Sequence, residues 1–167
     1  MAFSSDNRRF YTPGRQNEIL SWDVSSGQYE IMPINLTNKE AKAIDINRDG
    51  TKLAIGTANG LVVCDPKGRG LFQTVNAVIG PRVLENKDRL SFGGHYCCAQ
   101  FSPNGQMLAV VASESPDTIR LLDSDRGQEL HTIKLESWLV RMAFSPNSEQ
   151  IVATERDSAV RLYDVKN

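Results

Sequence analysis

The feature that most constrains this chain is that it repeats itself. A short apolar-to-turn phrase recurs as Phe3-Ser4-Ser5-Asp6-Asn7, Ile46-Asn47-Arg48-Asp49-Gly50, Phe101-Ser102-Pro103-Asn104-Gly105 and Phe144-Ser145-Pro146-Asn147-Ser148. The leading residues Phe3, Ile46, Phe101 and Phe144 are separated by 43, 55 and 43 residues. A second anchor, an aspartate closing an apolar run, follows each of them by 20, 19, 22 and 20 residues, at Asp23, Asp65, Asp123 and Asp164. Two anchors moving in step mark a repeat architecture. A unit of this size cannot bury its own apolar face and must stack on its neighbours.

Within each unit the residues read as strands. In the second, Lys52–Thr57 and Leu61–Cys64 are apolar segments separated by Ala58-Asn59-Gly60, and Asn-Gly is a strong hairpin signal because both residues tolerate positive φ. The fourth repeats the design over Gln150–Thr154, a turn at 155–158, and Ala159–Tyr163. The turn Ser102-Pro103-Asn104-Gly105 combines a proline that presets φ, an Asx side chain that can bond its own backbone and a glycine for the exit. Outer strands fit Gln28–Met32, Phe72–Val75 and Glu129–Ile133, while helical periodicity is essentially absent. About four strands in each unit of some 40 to 45 residues predicts an all-β fold, a β-propeller of about four four-stranded blades.

At this level of detail the chain resembles the WD-repeat family. The resemblance rests on Phe101–Gly105, on Phe144–Asn147, on Trp22-Asp23 with Val24 and Gly27-Gln28, and on Asp157–Asp164. It implies structural roles for Trp22, Asp23, Phe101, Phe144, Asp157 and Asp164, with Trp22 in the core. It also implies a scaffold for protein or peptide binding with no chemistry of its own. The chain departs from the family pattern at several points. Cys64, Leu122 and Tyr163 stand where the family has its tryptophan. Asp157 fits the hairpin-turn aspartate of the family's His–Ser/Thr–Asp–Trp network, but His95 stands only six residues before Phe101, and Leu135 takes the histidine position of the last unit. No blade is therefore expected to hold the full network, and cohesion falls to apolar packing at about 25 cal/mol per Å².

The expected organisation is one partial propeller over residues 1–167, with blades at 1–40, 41–94, 95–137 and 138–167. The second blade carries an insertion at about 76–94, and the last lacks its outer strand. The first residues read as an inner strand already under way, so an incomplete or half ring is expected. Three arrangements fit: a piece of a longer propeller, a half ring completed by a second copy, or a small closed four-bladed ring. An open arrangement leaves blade flanks and strand edges free for self-association.

Charge and composition narrow the function classes. With 19 basic and 20 acidic residues and no long run of one sign, nothing favours a nucleic-acid backbone or an anionic membrane as partner. No window approaches the length of apolar sequence needed to span a bilayer. Three cysteines, Cys64 and the adjacent Cys97-Cys98, lack zinc or redox spacing and read as reduced thiols in a cytoplasmic protein. Asn35-Leu36-Thr37 matches a glycosylation triplet, which matters only in a secreted chain.

No catalytic constellation, metal site or cofactor is expected. His95 and His131 lie 36 residues apart without a ligand pattern, and adjacent thiols on a strand point to opposite faces. Asp45 and Glu155 are the acids that a propeller enzyme, or a small-molecule or metal site in a central channel, would use. A regulatory repeat module of a larger multidomain protein is a further alternative. For partner binding, the residue types that anchor interfaces point to Trp138, Arg141 and Arg156 near one end of the fourth unit and to Tyr96 in the third. The alternative for Trp138 is packing between blades.

Overall fold

The computed structural model describes residues 1–15, 17–34, 36, 41–57, 60–74, 98–112 and 115–166. The 76–94 insertion, the glycosylation triplet at Asn35 and Thr37, Ala58-Asn59, His95, Tyr96 and Cys97 lie outside these residues. Every regular element among the described residues is a strand. Blade one consists of β1 (Ala2–Phe3), β2 (Arg9–Pro13), β3 (Ile19–Asp23) and β4 (Tyr29–Ile31). Blade two is β5 (Ala41–Ile46), β6 (Leu53–Thr57), β7 (Gly60–Cys64) and β8 (Gly70–Thr74). Blade three is β9 (Cys98–Phe101), β10 (Met107–Val111), β11 (Thr118–Asp123) and β12 (Glu129–Lys134). Blade four has β13 (Leu139–Phe144), β14 (Gln150–Glu155) and β15 (Val160–Asp164). Each sheet is an antiparallel meander in chain order, with four strands in the first three blades and three described strands in the last.

The repeated residues have repeated jobs. Ser4, Asn47, Ser102 and Ser145 each accept the backbone N–H of the residue five positions on, Arg9, Lys52, Met107 and Gln150, at 2.8–2.9 Å. The next turn position inward adds a side-chain acceptor: Asp6, Asp49, Asn104 and Asn147 each take the N–H two residues on. The left-handed turn position is filled by Asn7, Gly50, Gly105 and Ser148, with φ of 56, 73, 73 and 64°. The aspartates after the third strand close the following turn. Asp23 Oδ1 accepts Ser25 and Ser26 N–H, Asp65 Oδ1 accepts Lys67 and Arg69 N–H, and Asp123 Oδ1 accepts Asp125 and Arg126 N–H. The motif is thus a set of turn locks, each satisfying backbone donors that the strands leave open.

Register explains the packing. In blade three Phe101 lies opposite Leu108 and Leu108 opposite Leu122, while Ala109 lies opposite Leu121. Adjacent residues on a strand point to opposite faces, so each blade has two apolar rows. The first row faces the preceding blade and the second faces the following one. Three apolar clusters result: Tyr11 and Ile19 of blade one against Leu53, Ile55 and Cys64 of blade two; Ala54, Leu61 and Val63 against Phe101, Leu108 and Leu122; Ala109, Ile119 and Leu121 against Ile151 and Ala153. Among the described residues no fourth cluster joins blade four to blade one, so the closed four-bladed ring is not formed. The structure is an open propeller fragment.

Polar ties supplement the clusters. Asp45 Oδ2, on the inner strand of blade two, accepts Phe101 N–H from blade three at 2.7 Å. Lys52 Nζ reaches across the same junction to Asp125 Oδ1 at 2.6 Å and donates to Ser124 Oγ at 2.9 Å. Asn104 N–H of blade three donates to Ser148 Oγ of blade four at 3.0 Å.

Trp22 departs from its expected place in the core. It is half-buried, because it lies on the backward-facing row of blade one, which no described residue covers. There it sits in a cross-strand run of rings. Phe3 and Phe10 are 5.5 Å apart, Phe10 and Trp22 are stacked at 5.5 Å, and Trp22 and Tyr29 are 4.8 Å apart.

Candidate interaction site

Blade four brings Trp138 and Arg156 together. Trp138 immediately precedes β13 and Arg156 immediately follows β14, and the two strands are antiparallel with Leu139 opposite Glu155. The residues flanking that pair must therefore emerge at the same end. Arg156 N–H donates to Trp138 O at 2.8 Å, which extends the ladder one step into the loops. The Arg156 guanidinium lies over the Trp138 ring, 4.7 Å from its centroid. Trp138 is 41% exposed rather than packed between blades. Arg141 is exposed on β13 opposite Thr154, further along the strand.

Beneath the pair lies a buried acid. Glu155, only 3% exposed, accepts Ser137 N–H on Oε2 at 2.6 Å and the Tyr163 hydroxyl on Oε1 at 2.7 Å. Arg161 Nη1 stands 3.1 Å from Glu155 Oε2, an ion pair without hydrogen-bond alignment, and Nη2 donates to Asp157 Oδ2 at 2.9 Å. The Arg161 hydrogen bond, with support from Ala159 N–H, holds the Asp157 carboxyl below the usual carboxylate range. Asp157 in turn pushes the Arg161 guanidinium further up. This network fixes the 155–158 turn, in which Ser158 adopts φ of 67° and donates its N–H to Glu155 O at 3.0 Å. A readable signal existed in the sequence: a glutamate ending an apolar strand, with a tyrosine hydroxyl eight residues later.

The same logic appears in partial form in blade one, where the Trp22 indole N–H donates to Thr12 Oγ1 at 2.9 Å. The indole donor therefore survives there, while in blade four the Tyr163 hydroxyl takes a different acceptor.

Burial pushes the Cys64 thiol up to about 12, so it stays protonated at neutral pH, and burial also raises Cys98. Asp45 and Glu155, the two acids considered for a channel site, both spend oxygens on internal partners. Among the described residues no group of three or more His, Cys, Asp or Glu could hold a metal ion. No helix among them is long and apolar enough to cross a membrane.

A family model, WD domain, G-beta repeat, matches residues 86–123 and again 127–164. The second match runs from the outer strand of blade three through the third strand of blade four, so the family repeat is one strand out of step with the blade. These two matches support assignment to the WD-repeat family. No curated protein matches it. WD repeats generally serve as scaffolds for protein–protein interaction and are typically non-catalytic. In this chain the Phe-Ser-Pro-Asn phrases lock the inner turns, and the family's tryptophan position is retained as an indole in blade one only.

Proposed function

We propose that this chain is a non-catalytic, cytoplasmic scaffold that binds a protein or peptide, with Trp138 and Arg156 as its anchors. The observation that supports this reading best is the exposed tryptophan carrying an arginine on its face. Both side chains are held at the ends of paired strands, so little ordering entropy is lost when a partner docks. Tryptophan and arginine are the residue types that carry binding energy at interfaces, and a stacked guanidinium keeps its N–H groups available for an acceptor. Among the described residues no carboxylate forms an ion pair with Arg156, so its charge favours an acidic peptide.

Peptides selected from a displayed random library against the 167-residue chain should be enriched in Asp and Glu around an apolar residue. In fluorescence anisotropy, Trp138→Ala and Arg156→Ala should each weaken binding of such a peptide by about tenfold or more. Arg156→Ala should also flatten the dependence of affinity on salt. Unchanged binding in both variants sinks the proposal.

A further inference from the structure

Among the described residues two blade faces are left uncovered, one on blade four and one on blade one. At equivalent register positions the forward-facing row is Tyr11, Ile19 and Ser21 in blade one, Ala54, Leu61 and Val63 in blade two, Ala109, Ile119 and Leu121 in blade three, and Val152, Val160 and Leu162 in blade four. The first three rows are at most 3% exposed, because each is covered by the blade that follows. In blade four the same positions are 37%, 68% and 61% exposed, yet they remain Val, Val and Leu. A solvent-facing strand row normally alternates to polar residues; this one does not.

The backward-facing row shows the converse. Leu53 and Cys64, Leu108 and Leu122, and Ile151 are covered in blades two to four, at 0–1% exposed. The matching positions in blade one are Phe10 and Trp22, both half-buried, flanked in the cross-strand ladder by Phe3 and Tyr29, each 56% exposed. All three internal junctions place a forward row on a backward row. The described fragment therefore carries one uncovered surface of each kind.

We propose that a second copy of this chain covers them, with blade four of one copy stacking its Val152, Val160 and Leu162 row on the Phe3–Tyr29 aromatic ladder of the other. The occupant is argued from the chain's own three junctions, which supply the template, and from its near-balanced charge of −1, which raises no long-range barrier to self-association. The contact is face to face and joins unlike surfaces. It differs from pairing of strand edges, and because the surfaces are unlike, each copy offers one donor face and one acceptor face. Reciprocal contacts close two copies into a ring.

The test uses sedimentation equilibrium on the full 167-residue chain across the micromolar range. A concentration-dependent dimer is expected. Leu162→Lys disables only the forward face and Phe3→Lys only the backward face, and both positions are exposed, so folding is preserved and is checked by circular dichroism. Each variant alone should associate at least about tenfold more weakly than the parent. Mixing the two should restore pairing, since one variant keeps the forward face and the other the backward face. A monomer throughout the range overturns the proposal. So does a dimer that survives either substitution alone, or one not recovered on mixing, since these outcomes point to like surfaces meeting or to strand edges. Neither substitution touches Trp138 or Arg156, so failure here is separable from failure of the peptide site.

Discussion

At the scale of single residues, the chain spends the half-buried Asp45 and the buried Glu155 on geometry. Asp45 lies at the junction of blades two and three, with Phe101 N–H on its Oδ2. Burial raises its pKa, and the Phe101 and Ile46 N–H groups only partly offset that. A carboxyl whose folded pKa is raised binds its proton more tightly in the native state. Its contribution to stability is complete below the unfolded value, about 4, and is lost as pH rises through the folded value. Asn keeps an oxygen for Phe101 N–H and carries no charge. Asp45→Asn should therefore raise the urea midpoint at neutral pH and leave it nearly unchanged in acid, below about pH 4. A loss of stability at neutral pH that disappears in acid would instead show that the ionised carboxylate is a net stabiliser. Glu155 is built differently: its oxygens receive Ser137 N–H, the Tyr163 hydroxyl and the Arg161 charge, so it holds together the turn that carries Arg156.

At the scale of elements, the repeat was legible because its signals are local. The phrase Phe-Ser-Pro-Asn encodes a hydroxyl, a fixed φ and an Asx acceptor within a few residues, and Ser102, Asn104 and Gly105 act in one turn. The alternation on either side encodes the two faces of the strand. Gly105, at φ of 73°, has no neighbour within 4 Å of the place a Cβ would occupy. Gly105→Ala should therefore cost only the left-handed backbone penalty, about 1 kcal/mol, with no steric addition. Chemical denaturation should show that loss with an unchanged m-value. A loss several times larger would mean that the turn cannot hold its conformation with a side chain present. Glu155 was legible as an acid but not as the centre of a network, because Ser137 and Tyr163 approach it only when three strands are in register.

At the scale of the molecule, stability lies in the junctions between blades. Leu121 is fully buried against Ile151 and Ala153 of the next blade. Leu121→Ala should cost about 3 kcal/mol through lost transfer free energy and the cavity left behind. Because neighbouring repeats support each other, fluorescence from Trp22 in blade one and Trp138 in blade four should both report unfolding at lower denaturant. If only the Trp138 signal moves, the blades unfold as separate units.

The sequence by itself determined the number of repeats, the strands within them and the turns between them, since each depends on residues close together in the chain. Only the tertiary structure decided which row is covered. Val152, Val160 and Leu162 carry the same pattern as Ala109, Ile119 and Leu121, and Trp22 the same pattern as Leu122, yet their exposures differ. Burial is a property of what lies opposite, so identical local patterns become core in one blade and surface in another. Trp138 follows the same rule: its place before an inner strand was readable, while its exposure and its stacking partner Arg156 arose from the pairing of β13 with β14.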